Sequence, residues 1–278
     1  MFDFNESIIN NAAGKTLICA HRGVSGGNIP CNTLAAFSAA LMQGADMIEL
    51  DVTKSRDGRF FVFHPGKERA HLGKHRVISA MRGDCVKKLR FINIDNDKTQ
   101  FCVNELCEVL DYLRGKCYIN VDKFWTDIPG ISKEIRRAGV EKQVVVKTEL
   151  KDKYLKPLKE CAADMMFMPV IDNEDNVTDM LKSTGINCIG AEVLFENENA
   201  PVASYEYISS MHKKGMLLFV NAEVFYYKTV LSAGHNDDVS VTDDPEKGWG
   251  WLIDRGFDII QTDWCGALKI FTENRKKQ

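Results

Sequence analysis

The sequence predicts an α/β protein whose strands close into a (β/α)8 barrel. Short apolar runs typical of buried strands alternate with segments of helical periodicity along most of the chain. Eight such strands fit within 278 residues, and strand–helix alternation over this length favours a closed parallel sheet. A doubly wound open sheet is the alternative. The strands are predicted at about 16–20, 47–52, 117–121, 143–146, 165–171, 187–193, 216–220 and 258–261.

Helices are predicted between most of these strands from the spacing of apolar residues. In the first helix, Leu34 and Phe37 begin a repeat of about 3.6 residues, which is the period of a helix with one buried face. Asn32 or Thr33 is the expected N-cap, and Gly44 ends the helix. Further helices are expected at about 103–114, 127–138, 202–214 and 245–255.

A β-hairpin and an insertion are predicted after the second strand. Arg56-Asp57-Gly58 is a turn signal, and residues 59–64 return as a third strand-like segment, too soon for a helical crossover. Residues 65–104 are long, polar and irregular, and such connections are more often functional than idle. Because no low-complexity linker interrupts the chain, we expect a single domain over residues 1–278, with residues 1–15 as a polar lead-in.

Composition does not indicate nucleic acid or a membrane as the partner. With 36 basic and 39 acidic residues the formal net charge is −3, which gives no electrostatic reason to expect nucleic acid or an anionic membrane. No apolar stretch is long enough for a transmembrane segment, and residues 1–15 lack the apolar core of a signal peptide. The nine cysteines form no CxxC pair, which argues against zinc and for reduced thiols in a cytoplasmic protein. The sequence does not indicate an oligomeric state.

Acidic residues at strand ends predict a metal site. Glu49 and Asp51 lie two residues apart on a strand and therefore face the same side. Adjacent carboxylates repel, and a hard divalent cation, Mg²⁺ or Ca²⁺, relieves that repulsion. Asp122, at the end of another strand, is expected to complete the oxygen ligands. For the first pair taken alone, a solvated strand end is the alternative.

Two histidines and an arginine are predicted beside this site. His21 and His64 each follow an apolar run, which places each at a strand terminus. A histidine pair around a metal suits general acid–base catalysis near neutral pH, whereas hydrogen bonding to nearby backbone is the alternative. Arg22 is expected to bind a phosphate or carboxylate, with a surface ion pair as its alternative.

Later strands also end in charged or aromatic residues, a series typical of the mouth of a barrel enzyme. Lys147 is expected to contact phosphate, with a surface lysine as the alternative. Trp264 is expected to form an apolar wall of the substrate site, with packing in the core as the alternative. His71 and His75, in the insertion, are expected to be solvated. Two further strands end in the acids Glu192 and Asp263.

The ordered motifs near the start of the chain resemble the glycerophosphodiester phosphodiesterase family, and later strands agree more loosely. This resemblance implies a TIM barrel and metal-dependent cleavage of diesters such as glycerophosphocholine to an alcohol and glycerol 3-phosphate. It also implies that Glu49, Asp51 and Asp122 hold the metal, that His21 and His64 are the catalytic pair, and that Arg22 binds phosphate. The motifs are His21-Arg22-Gly23, Pro30-x-Asn32-Thr33-Leu34, Gly44-Ala45-Asp46-x-Ile48-Glu49-Leu50-Asp51-Val52, Asp57-Gly58 and Val62-Phe63-His64.

The chain departs from the family pattern at three places. Cys31 stands where the family usually has glutamate, Pro65 where it has aspartate, and Lys123 directly follows Asp122. Two alternatives therefore stay open. One is a phospholipase D-like enzyme that forms a cyclic phosphate from lysophospholipids; the other is a non-catalytic barrel that binds a phosphate ligand. Which histidine is the acid and which the base is also open.

Overall fold

The computed structural model describes residues 3–4, 6–172 and 177–277, and its secondary structure is mixed α/β. None of the helices within these ranges is both long and apolar enough to cross a membrane; the predicted cytoplasmic location stays a prediction. The strands are β1 (Leu17–Ala20), β2 (Met47–Lys54), β3 (Phe60–Val62), β4 (Arg90–Ile92), β5 (Lys98–Cys102), β6 (Tyr118–Asp122), β7 (Val144–Glu149), β8 (Met166–Ile171), β9 (Gly190–Val193), β10 (Leu217–Asn221) and β11 (Ile259–Thr262).

Helices connect these strands, mostly where the apolar periodicity predicts them. The helix expected at 245–255 is instead a π-helical turn, Glu246–Gly250, followed by a short α-helix. The helices are α1 (Ile8–Ala12), α2 (Leu34–Met42), α3 (Glu68–Leu72), α4 (Gly83–Val86), α5 (Leu106–Leu113), α6 (Ile128–Ala138), α7 (Asp152–Cys161), α8 (Val177–Ser183), α9 (Tyr205–Lys213), α10 (Asp237–Thr242), α11 (Trp251–Arg255) and α12 (Cys265–Arg275).

Eight parallel strands close into a barrel. Their order is β1-β11-β10-β9-β8-β7-β6-β2, and β2 pairs again with β1 where Cys19 lies opposite Met47. This closure confirms the predicted TIM (β/α)8 barrel and excludes the open doubly wound sheet. The carboxyl ends of all eight strands therefore meet at one mouth, where barrel enzymes place their catalytic residues.

The predicted hairpin is present, and it returns the chain to the mouth. β3 pairs antiparallel with β2, with Val62 opposite Val52. The Phe63 backbone N–H then donates to the Asp51 carbonyl at 2.9 Å. Because β2 continues past the mouth before the chain turns, the residue after this contact, His64, comes back level with Asp51.

The lead-in contains a helix that the polar composition of residues 1–15 does not predict. Ile8 and Ala12 of α1 are buried at 1% and 4% exposure. They pack against side chains from the first positions of several barrel strands, so α1 closes the amino end of the barrel. These side chains include Leu17, Met47, Tyr118, Leu217 and Ile259.

The insertion is folded, and the prediction of an irregular segment is wrong. It contains α3, α4 and an antiparallel pair formed by β4 and β5. It is anchored to the hairpin turn because the Gly83 backbone N–H donates to Asp57 Oδ1 at 2.8 Å. A small apolar cluster joins it to β3, comprising Phe61, Phe63, Leu72, Ile78, Met81, Val86, Phe91 and Val103.

Candidate active site

The turn after β1 is tight and places Arg22 over the barrel. Arg22 and Gly23 both lie in the left-handed region, with φ of 56° and 75°. A Cβ at position 23 would stand 2.7 Å from the carbonyl carbon of Ala36 in α2, so only glycine fits there. The turn directs the Arg22 backbone N–H to Glu49 Oε2 at 2.9 Å. Packing against α2 thus maintains a conformation that is unfavourable for arginine.

The three acids predicted to share a cation lie together. Asp51 on β2 is the register partner of Asp122 on β6, and Glu49 lies two residues below Asp51 on the same face. One carboxylate oxygen from each residue lies within 4.8 Å of the other two. Glu49 and Asp51 are buried, and Asp122 is half-buried. This spacing allows all three to bind one ion.

The electrostatics of these acids fit a divalent cation. Burial, with the Asp51 charge adding to it, raises the pKa of Glu49 to about 7. Burial opposes ionisation of Asp122 as well, but Lys147 and Lys123 outweigh it and lower the pKa of Asp122 to about 2. Glu49 therefore resists ionisation unless a cation compensates its charge. Oxygen-only ligands suit Mg²⁺ or Ca²⁺.

Asp51 has one satisfied and one unsatisfied oxygen. Oδ2 lies 2.8 Å from Arg22 Nε and accepts a hydrogen bond from Asn32 Nδ2 at 2.9 Å. Oδ1 is buried without a hydrogen-bond partner among the described residues. His64 Nε2 is 3.9 Å from it and Lys123 Nζ 4.0 Å. A buried carboxylate oxygen left open beside two other acids is what a bound cation requires.

His21 is held by a carboxylate. Its Nδ1 lies 2.9 Å from Asp263 Oδ1, at the end of β11, so the ring donates to the acid. Burial acts to lower the pKa of His21, but the Asp263 hydrogen bond and the charges of Glu223 and Glu49 outweigh it and raise the pKa to about 9. His21 is therefore an imidazolium at neutral pH.

His64 is held by a backbone carbonyl instead. Its Nδ1–H donates to the Pro65 carbonyl at 2.8 Å, which leaves Nε2 facing Asp51. Burial lowers the pKa of His64; the Asp51 charge opposes this, while Arg22 and Lys123 add to it. Near neutral pH the ring is therefore neutral, and the nitrogen that faces the acids carries a lone pair.

The two other predicted substrate contacts are Lys147 and Trp264. Lys147 is buried inside the barrel, where its Nζ donates to Glu192 Oε2 at 2.6 Å. Burial opposes its charge, but Glu192, Asp122 and Glu49 outweigh burial and raise the pKa of Lys147. Trp264 directly precedes α12 and is 50% exposed. Roles for Lys147 and Trp264 in substrate binding stay predictions.

A polar layer inside the barrel was missed by sequence reasoning. Gln261 Nε2 donates to Asn221 Oδ1 at 3.1 Å and to Glu223 Oε1 at 2.9 Å. Glu223 Oε2 is buried without a partner in the described part of the chain. Burial raises the pKa of Glu223 to about 8, against the opposing effects of His21 and Gln261. The sequence does contain a signal for this layer, because Asn221 and Glu223 lie two residues apart at the end of a strand, as Glu49 and Asp51 do.

A cavity of about 400 Å³ lies at the mouth beside this cluster. His71 lines it and is half-buried, so it is less solvated than predicted, because the fold of the insertion brings α3 to the cavity. His75 is exposed, as expected. The lining residues are His21, Arg22, Ser25, Cys31, His64, Lys67, Ala70, His71, Phe225 and Asp263.

Short stretches of curated proteins match this chain. A glycerophosphodiester phosphodiesterase of Caldanaerobacter subterraneus subsp. tengcongensis is 56% identical over 50 residues, which is 18% of this chain and 20% of the relative. One of Bacillus altitudinis is 56% identical over 52 residues, 19% of this chain and 21% of the relative. The matched part thus spans about a fifth of these relatives. A family model described as a domain of unknown function matches residues 167–272.

Solved structures match nearly the whole chain. A glycerophosphoryl diester phosphodiesterase from Parabacteroides distasonis has a TM-score of 0.77 at 19% identity, covering 94% of this chain and 87% of that one. An Oleispira antarctica phosphodiesterase, in complex with the product sn-glycerol-3-phosphate, has a TM-score of 0.62 at 17% identity, covering 93% and 96%.

The fold and the site thus define a TIM barrel with acids and histidines at its mouth. The resemblance to glycerophosphodiester phosphodiesterases is confirmed, because the curated relatives and the structural neighbours bear that name.

Proposed function

We propose that this chain is a metal-dependent phosphodiesterase that hydrolyses glycerophosphodiesters to an alcohol and glycerol 3-phosphate. The observation that carries the proposal is the meeting of three acids, with oxygens within 4.8 Å of one another, and two histidines at one mouth. The barrel and its insertion act as one domain in this proposal, because the insertion supplies Lys67 and His71 to the cavity.

Glu49, Asp51 and Asp122 would hold the cation, Mg²⁺ or Ca²⁺. The unpartnered Asp51 oxygen and the raised pKa of Glu49 support this assignment. When bound, the cation supplies positive charge to a non-bridging phosphate oxygen. Arg22, whose guanidinium lines the cavity, is placed to bind another phosphate oxygen.

The two histidines divide the proton transfers between them. His64, neutral and with Nε2 open, accepts the proton of the attacking hydroxyl. Attack by water gives glycerol 3-phosphate directly, whereas attack by the substrate's glycerol hydroxyl gives a cyclic phosphate that water then opens to glycerol 3-phosphate. His21, an imidazolium held by Asp263, donates a proton to the leaving alkoxide. Cys31 is not the nucleophile, because burial raises the pKa of its thiol to about 11.

The test is release of glycerol 3-phosphate from glycerophosphocholine and glycerophosphoethanolamine. We expect turnover with Mg²⁺ or Ca²⁺, loss of turnover in EDTA, and a fall of about 10²- to 10⁴-fold in His21→Ala and His64→Ala. His75→Ala, which replaces an exposed histidine of the insertion, is the control. A folded, cation-binding protein that binds glycerol 3-phosphate but cleaves no diester would establish the non-catalytic alternative.

A second candidate is the phospholipase D-like reaction on lysophospholipids. Exposed aromatic side chains at the mouth favour it, because an acyl chain needs apolar surface. Phe225, which lines the cavity, is 61% exposed, and Tyr227 is 78% exposed. Phosphorus NMR of the products from lysophosphatidylcholine distinguishes the two candidates. A cyclic phosphate supports the phospholipase D-like reaction. Its absence, together with turnover of glycerophosphocholine, supports hydrolysis of glycerophosphodiesters.

A further inference from the structure

The wall that the insertion contributes to the cavity carries one cation, Lys67, and one imidazole, His71. Lys67 and His71 line it from the start and the last turn of α3. Lys67 makes no ion pair within the described ranges. Of the cavity's lining residues, Asp263 is the one carboxylate, and it is already hydrogen-bonded to His21. The insertion side of the cavity therefore presents positive charge without a counter-ion.

The surroundings of His71 are also rich in positive charge. Its ring packs edge-on to Phe63, at 6.3 Å between centroids and 88° between planes, and this contact orients it. Burial lowers the pKa of His71, and the charges of Arg22, Lys67 and His64 add to that effect against a smaller opposing effect of Asp51. An anion in the cavity would reverse this repulsion.

The phosphate of a diester does not account for these groups. In the proposed reaction the phosphate lies at the acid cluster, next to Arg22 and the two histidines. Lys67 and His71 line the cavity from the insertion, whereas His21 and Arg22 line it from the end of β1. The group that reaches them is the part of the substrate that extends from the phosphate into the cavity, which is the leaving alcohol.

We propose that Lys67 and His71 bind a carboxylate or phosphate carried by the leaving alcohol, so that the preferred substrates are glycerophosphodiesters with an anionic head group. This inference rests on the proposed function and names its substrate class. Lys67 supplies charge, and His71 supplies a ring N–H at a fixed position. A head group that carries only a quaternary ammonium, as choline does, meets repulsion at the same wall.

Two substrates that differ by one carboxylate test the inference. Glycerophosphoserine and glycerophosphoethanolamine share the phosphate, the chain length and the ammonium. We expect a higher kcat/KM for glycerophosphoserine. Lys67→Met should lower that value roughly three- to fivefold, the range of a solvent-exposed ion pair, and change the ethanolamine value little. Lys67→Glu should reverse the preference.

Two further variants separate recognition from folding. His71→Phe keeps the ring and its edge contact with Phe63 but removes the N–H, and it should weaken the preference in the same direction. Arg69→Met removes an exposed cation from the same helix that does not line the cavity, and it should leave the preference unchanged.

The outcomes distinguish this inference from the proposed function. Equal kcat/KM values for the two diesters, or equal effects of Lys67→Met and Arg69→Met, would overturn the inference and leave the phosphodiesterase intact. Cleavage of no diester overturns the proposed function. In that case the affinities of the His21→Ala variant for the two diesters, measured by calorimetric titration, still test the preference. Equal affinities overturn it, and tighter binding of glycerophosphoserine supports it.

Discussion

At the scale of single residues, the two histidines differ in the group that holds each ring. A carboxylate holds His21, and a carbonyl holds His64. A carboxylate stabilises the imidazolium, whereas a carbonyl fixes a tautomer without adding a full charge. This difference, together with the acids around His21 and with the burial of His64 beside Arg22 and Lys123, moves their pKa values in opposite directions. Opposite shifts are the requirement for one acid and one base at the same pH.

Replacing Asp263 should move the pH dependence of activity. Asp263→Asn removes the charge that raises the pKa of His21, so the ring loses its proton at a lower pH. Because His21 must be protonated to act as the acid, the alkaline limb of kcat/KM should move down by about one pH unit or more. The measurement is kcat/KM between pH 6 and 10. An unmoved limb would show that another group carries the acid role.

Replacing Asp51 should abolish stabilisation by a cation. In the wild type, a cation at about one hundred times its Kd should raise the free energy of unfolding by roughly 2.7 kcal/mol. Asp51→Asn removes the open oxygen at the centre of the acid cluster, so Mg²⁺ or Ca²⁺ should no longer shift Tm. Thermal unfolding with and without the cation measures this, with Asp95→Asn, an exposed loop acid, as the control. An equal shift in both variants would place the cation elsewhere.

At the scale of elements, the barrel strands were predictable and the smaller elements were not. Each barrel strand is buried on both faces and so leaves a continuous apolar run, such as Leu17–Ala20. α1 has five residues, too few to show a helical period. The apolar residues of the insertion, from Leu72 to Val103, are scattered with no regular spacing because they meet in tertiary contacts.

The candidate site was predictable in part for a similar reason. Glu49, Asp51 and His21 lie within or directly after apolar runs, so their position at a strand end is visible in the sequence. Glu223 also follows a strand, but its burial depends on Gln261 from β11, a contact between distant parts of the chain. His71 reaches the cavity through the fold of the insertion, which leaves no local pattern.

Loss of packing beneath the barrel should destabilise the whole fold. Ile8 is 1% exposed and packs against the first residues of the strands. Ile8→Ala should therefore lower the free energy of unfolding by about 2–3 kcal/mol, the cost of a buried cavity. Chemical denaturation measures it. Asn10→Ala, on the exposed side of α1, should change stability little. A loss in Ile8→Ala no larger than that in Asn10→Ala would contradict a packing role for Ile8.

At the scale of the whole molecule, the barrel interior divides into two layers with different purposes. The amino-end layer is apolar and closed by α1, which supplies packing energy. The layer above it holds Lys147, Glu192, Asn221 and Gln261 in hydrogen bonds, where barrels more often hold branched apolar side chains. The packing energy of the amino-end layer thus offsets the cost of burying charged side chains in the layer above it.

This buried charge predicts that the protein loses stability as the pH rises above neutrality. Folding raises the pKa of Glu223 from about 4.5 to about 8 and that of His21 from about 6.5 to about 9. Between pH 7 and 8 the folded state therefore binds protons that the unfolded state has released, so the free energy of unfolding falls as pH rises. The lowered pKa values of His64 and His71 act mainly below pH 6.5 and do not oppose this.

Glu223→Gln should flatten this decline, because the amide keeps an acceptor for Gln261 but cannot ionise. One proton fewer corresponds to about 1.4 kcal/mol per pH unit at most, so a change of roughly 1 kcal/mol per unit is expected. Urea denaturation from pH 6.5 to 8.5 in EDTA, where no cation competes at the acids, measures the slope. Glu206→Gln, an exposed acid on α9, should leave it unchanged. A wild type more stable at pH 8.5 than at pH 6.5 would mean that Glu223 is already ionised in the folded barrel.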